Sequence, residues 1–319
     1  MVKKAHLSGI AFAAIFGFSF MSSKTVLGHV SPMGLLAYRF MIAFLFIEGL
    51  RRVKLIDVKL SKHTWRAASW VILLQPGLYF VFETLGLARM ASVEAGIMIA
   101  LIPVFTALFG TWLLKERPHR KQLVFIAMSV LGIWVVQMAS RQALSFDRLG
   151  FGLLLGAVMA AALFNIASRV ASRTIEPLAL TYCMMASGAV LFNAVHTVER
   201  LHAGTLRLYF QPLTSFTVLL PVLYLGVMSS VIAFFLVNTA LKHLEAHVIS
   251  IYANLATVIA MAAGVIFLQE QLNLIHILGA LCILLGVYGT VYYSRHKPMT
   301  PIMDTSIIEK GGVAVEEAV

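Results

Sequence analysis

Apolar residues run along this chain in blocks of about twenty, separated by short polar punctuation. Leu7 to Met21, Ala95 to Leu114 and Ile275 to Tyr293 are runs with few charges inside them. A helix rises about 1.5 Å per residue, so roughly 20 apolar residues match a 30 Å hydrocarbon layer. The pattern predicts helices over 7–27, 33–50, 68–88, 93–114, 121–140, 149–169, 177–198, 217–238, 247–268 and 274–293. Connections such as Gly28 to Pro32 and Arg89 to Ser92 leave no room for a separate soluble domain. The chain reads as an all-α integral membrane protein of ten transmembrane helices, with consecutive helices antiparallel.

Composition supports this: 60% of residues are hydrophobic and 12% charged, half the charge of a typical soluble domain, about 25%. The net charge of +11 sits in short clusters between apolar runs, the positive-inside pattern and not a basic face for nucleic acid. With the N-terminus inside, the inner segments hold 18 Lys and Arg and the outer loops 5, leaving Lys24 and Arg39 within helices. Both termini are therefore expected in the cytoplasm, with the protein in the cell membrane. The first apolar run continues nearly to Leu27 without a small-residue cleavage site and reads as a first transmembrane helix. Residues 296–319 are polar and read as a disordered cytoplasmic tail. Cys183 and Cys282 fall in apolar runs without metal-ligand spacing and read as packing residues.

The halves resemble each other. An offset of 154 places Gly110 on Gly264, Glu116 on Glu270 and Gly132 on Gly286; an offset of 145 places Pro32 on Pro177 and Lys24 on Arg169. This divides the chain into a first five-helix unit, 1–145, and a second, 146–295. Five is odd, so the copies insert with opposite orientation. The loop at Glu116 is rich in Lys and Arg, and its counterpart at Glu270 has none. A 5+5 inverted repeat of this kind is the architecture of alternating-access transporters, with the site between the repeats near mid-membrane.

At Ala100 to Pro118 (ALIPVFTALFGTWLLKERP) and Asn254 to Leu272 (NLATVIAMAAGVIFLQEQL) the chain resembles the EamA-type permeases of the drug/metabolite transporter superfamily, over roughly residues 7–293. It departs at Thr257, where the family usually shows proline, and the ninth helix should be straighter for it. The resemblance implies a 5+5 inverted bundle and export or exchange of small solutes such as amino acids. It marks substrate poorly.

A charge inside a span costs a few kcal/mol or more at the centre, which makes each a functional candidate. Lys24 and Glu83 fall roughly 5–8 Å inside the outer boundary and Arg39 about 10 Å. Together they could hold the two charged ends of an amino acid. Alternatively Lys24 snorkels, and Arg39 and Glu83 form a structural ion pair. Their equivalents in the second half, Met184 and Val237, carry no charge. Gln75, Tyr79 and Glu83 recur at i, i+4, i+8 on one face of the third helix. Asn165 in the sixth helix and Asn254 in the ninth are further substrate or coupling candidates. Ser168, Ser230 and Asn238 belong to similar stripes, which also hold helices together. Glu116 and Glu270 read as structural. The histidines, His196 among them, show no tight ligand spacing, and GxxxxGK[ST] is absent. No metal, cofactor or ATP drive is expected.

The reading is a secondary transporter exporting or exchanging amino acids or similar small metabolites, as a functional monomer, with protons a further candidate partner. The alternatives are a multidrug efflux permease of the same architecture and an intramembrane enzyme, for which no matched catalytic set is visible.

Overall fold

The computed structural model describes residues 2–113, 120–142, 147–172, 174–243, 246–269 and 274–294. Glu116, Glu270 and the tail 296–319 lie outside them. The helices are α1 (Val2–Leu27), α2 (Pro32–Arg52), α3 (Lys62–Ile72), α4 (Tyr79–Arg89), α5 (Ser92–Ile99), α6 (Ile102–Leu113), α7 (Arg120–Gln142), α8 (Arg148–Ala171), α9 (Pro177–His202), α10 (Phe216–Leu223), α11 (Ala233–His243), α12 (Ala246–Leu268) and α13 (Leu274–Ser294). Among the described residues there is no strand, and seven helical stretches are long and apolar enough to cross a bilayer. Shorter apolar stretches at Leu123–Gly132, Leu255–Leu268 and Leu274–Gly286 belong to α7, α12 and α13. The chain is an all-α, multi-pass membrane protein.

Helix ends carry their signals. Ser31 accepts the Gly34 amide at 3.1 Å ahead of Pro32, and Ser61 and Thr64 form a capping box at α3. Asp147 opens α8, accepting the Gly150 amide at 2.9 Å, with Arg89 at 3.0 Å on its other oxygen.

Two crossings depart from the helices read from the sequence. The crossing Lys62–Arg89 begins earlier than residue 68 and is broken at Leu73–Leu78. There Gln75 is extended (φ −152, ψ 113) before a cis peptide to Pro76. Proline has no amide hydrogen to continue the helical ladder. In the other half, a widened turn spans Tyr224–Ile232 between α10 and α11. By contrast α12, with Thr257 in place of proline, is continuous, while α5 and α6 separate at residues 100–101, just before Pro103.

The packing is reciprocal between halves. α1 lies on α12, as α8 lies on α5 and α6; α4 lies on α8, as α11 lies on α1. α7 and α13 pack on each other through equivalent atoms. A Cβ at Gly132 would meet Ile283 Cγ1 at 2.7 Å and the Gly279 carbonyl at 2.8 Å. One at Gly286 would strike Ser129 and meet the Phe125 carbonyl at 2.6 Å. Phe125, Ser129 and Gly132 are the positions that the offset of 154 places on Gly279, Ile283 and Gly286. A pseudo-two-fold relation thus passes between these helices. Where lipid is as apolar as leucine, such close approach supplies the attraction between helices.

α2 and α9 are joined at both ends through equivalent positions. The Tyr182 hydroxyl donates to Glu48 at 2.9 Å, and the Asn193 amide donates to the Ala37 carbonyl at 3.1 Å. Asn193 and Tyr182 are the offset-145 equivalents of Glu48 and Ala37. Glu48 also receives Arg51 at 2.7 and 2.8 Å and Arg52 at 2.8 Å. At the Asn193 end, the Tyr209 hydroxyl donates to Asn193 at 2.6 Å, the Tyr38 hydroxyl donates to the Tyr209 carbonyl, and His196 packs against both tyrosine rings.

Gly286→Val should force α7 and α13 apart and cost about 1–3 kcal/mol of stability, whereas Gly152→Ala, with open space around it, should change little; thermal unfolding in detergent compares them. The Gly150 amide and the Arg89 guanidinium hold the Asp147 carboxyl below its usual range. Its contribution is therefore complete above the ordinary carboxylate range and lost as pH falls through the depressed value. Asp147→Asn should lower the melting temperature at neutral pH and match wild type in strong acid.

Candidate functional site

The reciprocal packing leaves a cavity of about 100 Å³ where the halves meet. α1 contributes Phe12, Phe16, Ser19 and Phe20, α2 contributes Arg39, and the broken crossing contributes Gln75, Tyr79, Phe80 and Glu83. Ile99, Ile102, Ala161, Phe164, Asn165, Phe234, Val237 and Ala256 complete the wall. Many of these are equivalent pairs. The offset of 154 relates Phe80 to Phe234, Glu83 to Val237 and Ile102 to Ala256, and that of 145 relates Phe16 to Ala161, Ser19 to Phe164 and Phe20 to Asn165. Phe80 and Phe234 touch, with ring centroids 5.9 Å apart, so the relation between the halves runs through the cavity.

Arg39 is 3% exposed. Its Nε donates to Ser230 Oγ at 2.8 Å and its Nη2 to Ser229 Oγ at 2.9 Å, both on the widened turn. Its guanidinium stacks on Phe80, 4.3 Å from the ring centroid, a favourable cation–π contact. Glu83, 4% exposed, accepts a 3.2 Å hydrogen bond from Thr84 Oγ1. Among the described residues Arg39 and Glu83 make no contact within 4.0 Å, although each lies within electrostatic reach of the other. Gln75, 5% exposed, and the Tyr79 hydroxyl line the cavity without a hydrogen-bond partner among the described residues. Asn165 Nδ2 reaches Thr106 Oγ1 at 3.5 Å. The cavity thus presents a cation, a carboxyl, an amide and a phenol inside aromatic walls.

Five of the seven sequence candidates converge here: Arg39, Gln75, Tyr79, Glu83 and Asn165. The side chain of Asn254 lies outside the described residues. Lys24 is elsewhere: its ammonium donates to the carbonyls of Leu87 at 2.8 Å and Met90 at 2.6 Å, closing the end of α4. Nor does it line the cavity. Asn238 bonds Ser168 at 2.9 Å and Thr181 at 3.0 Å, tying α8, α9 and α11 together. Ser229 and most of the phenylalanine wall were not singled out from the sequence; the repeat offset, which places Ser229 on Gln75, was the available signal.

The EamA-like transporter family model matches residues 3–138 and again 148–292. The chain belongs to the EamA-like transporter family. This EamA-like transporter is 36% identical over 304 residues to the uncharacterized transporter YcxC of Bacillus subtilis, covering 94% of this chain and 96% of that one. It is 24% identical over 304 residues, covering 92% and 97%, to a probable amino-acid metabolite efflux pump of Escherichia coli. A solved crystal structure of a protein shares the fold, with a TM-score of 0.66 at 18% identity, covering 93% of this chain and 99% of that one. The EamA-like chain is accordingly a membrane transporter of the drug/metabolite transporter superfamily, acting on small molecules.

Lys24→Met should lower the stability of this transporter by about 1–3 kcal/mol, since two buried carbonyls lose a charged donor. Half-saturation of exchange should stay at the wild-type value. Thermal unfolding and substrate titration on the same preparation check both.

Proposed function

We infer that this EamA-like transporter exports or exchanges amino acids or closely related small metabolites by alternating access. The substrate sits as a zwitterion in the central cavity. One observation carries this reading: a guanidinium and a carboxyl line a single small cavity, each almost fully buried, with no contact within 4.0 Å between them. A buried charge without a close counter-ion costs several kcal/mol, and a ligand with a carboxylate at one end and an ammonium at the other relieves both. The serines and Phe80 hold the guanidinium in place beforehand, which lowers the ordering cost of binding. The volume, about 100 Å³, suits a small solute better than the roughly 300–1,000 Å³ of drug-sized sites. The E. coli relative's designation as an amino-acid metabolite efflux pump agrees.

In this reading the segments 1–145 and 146–295 are the two inverted units, rocking about the cavity between them. The transporter acts as a monomer in the cell membrane with both termini in the cytoplasm. Glu83 exchanges a proton for substrate. Moving one charge across 100 mV is worth about 2.3 kcal/mol, roughly a 50-fold gradient, so one proton is sufficient drive. The aromatic wall beside Glu83 favours a second reading, efflux of aromatic cations, which the same assay separates.

Counterflow in proteoliposomes tests this with labelled amino acids. Wild type should exchange at least one of them saturably, Arg39→Ala should raise half-saturation at least about tenfold, and Glu83→Gln should remove the pH dependence of exchange. Exchange of amino acids that ignores Arg39→Ala would sink the zwitterion site, and saturable exchange confined to aromatic cations would establish the second reading.

A further inference from the structure

Away from the cavity, whose lining includes none of its residues, the connection between α2 and α3 carries a further pattern. Lys54, Lys59, Lys62, His63 and Arg66 are all exposed there. Glu48 engages Arg51 and Arg52, but among the described residues Lys54, Lys59, Lys62 and Arg66 have no acidic partner. On α3, Lys62, Trp65, Arg66, Ser69 and Trp70 fall at i, i+3, i+4, i+7 and i+8, and all five are exposed. Thr64, Ala68 and Val71 on the opposite side are buried against the protein. Cations and indoles alternate along this stripe, in the order Lys62, Trp65, Arg66, Trp70, within about 12 Å of helix. Trp65 is 39% and Trp70 62% exposed. α3 is the start of the crossing Lys62–Arg89, so Lys62 lies at its outer edge and Trp70 further along toward the bilayer.

The positive-inside rule accounts for basic residues on this side. It does not require two of them to share one lipid-facing stripe with two indoles. A phosphodiester at the bilayer surface satisfies Lys62 and Arg66 with charge-assisted hydrogen bonds, and indoles suit the boundary between headgroup and acyl chain. Juxtamembrane clusters of Lys and Arg attract anionic lipid in this way.

We propose that the exposed stripe of α3 is a binding site for an anionic phospholipid. The headgroup lies on Lys62 and Arg66, the acyl chains run along Trp65 and Trp70, and Lys54 and Lys59 add to the local positive field. A soluble anion would use the cations alone and leave the indoles without a role.

The test is quenching of tryptophan fluorescence by brominated lipids. The full chain is reconstituted with Trp112→Phe and Trp134→Phe, leaving Trp65 and Trp70. Brominated phosphatidylglycerol should quench at about a tenfold lower lipid fraction than brominated phosphatidylcholine. Lys62→Gln with Arg66→Gln should remove that preference while phosphatidylcholine still quenches, which shows that the helix keeps its place; the Lys62→Arg, Arg66→Lys exchange should retain it. Phosphatidylglycerol copurifying with the chain bearing all its tryptophans provides the same comparison without the background substitutions. Equal quenching by both lipids, a preference that survives the glutamine pair, or displacement of phosphatidylglycerol by inorganic phosphate would each overturn the proposal.

Discussion

A backbone amide or carbonyl in hydrocarbon has no water to turn to, and the architecture of this transporter follows from that constraint. It dictates helices, and it dictates where a helix can break. The extended backbone at Gln75 falls where the chain lines a cavity, and the widened turn at Tyr224–Ile232 carries the serines that grip a buried cation. The broken turn supplies the Gln75 side chain to the cavity, and the widened turn supplies Ser229 and Ser230 to Arg39. Local irregularity and function thus share a cause: only a site protected from lipid tolerates both freed backbone groups and charged side chains.

Packing supplies the next level. The reciprocal contact of Gly132 and Gly286 brings α7 and α13 together, and the same relation carries Phe80 onto Phe234 at the cavity. Pseudo-symmetry gives two similar walls, and sequence divergence then makes them chemically different. Glu83 faces where its equivalent is Val237, and Arg39 has no charged equivalent at Met184. The scaffold is two-fold, whereas the two charged groups lining the cavity belong to the first half.

Most of the fold was legible in the sequence because a bilayer imposes a length: runs of twenty apolar residues have few alternatives. Arg39 and Glu83 were legible because charges in such runs are costly, and Gln75 and Tyr79 because they share the Glu83 face. Lys24 fulfilled the same criterion and proved to close the end of α4, a partner more than sixty residues away that no local pattern encodes. Ser229 was illegible for the opposite reason, since a serine in an apolar span is usual packing. Pro76 marked the break in plain view, but periodicity running through Gln75, Tyr79 and Glu83 disguised it as one continuous helix.

The two junctions between α2 and α9 occupy equivalent positions but differ in bond type. At one, the Tyr182 hydroxyl of α9 donates to the Glu48 carboxylate of α2, which Arg51 and Arg52 of its own helix also grip; the other joins Asn193 to a carbonyl and a tyrosine by neutral hydrogen bonds. Charge-assisted bonds are roughly twice as strong as neutral ones. Parting the helices at one end is therefore not isoenergetic with parting them at the other. In the proposed alternating-access reading, a solute must bring differential affinity for the state in which the more strongly bonded end has parted.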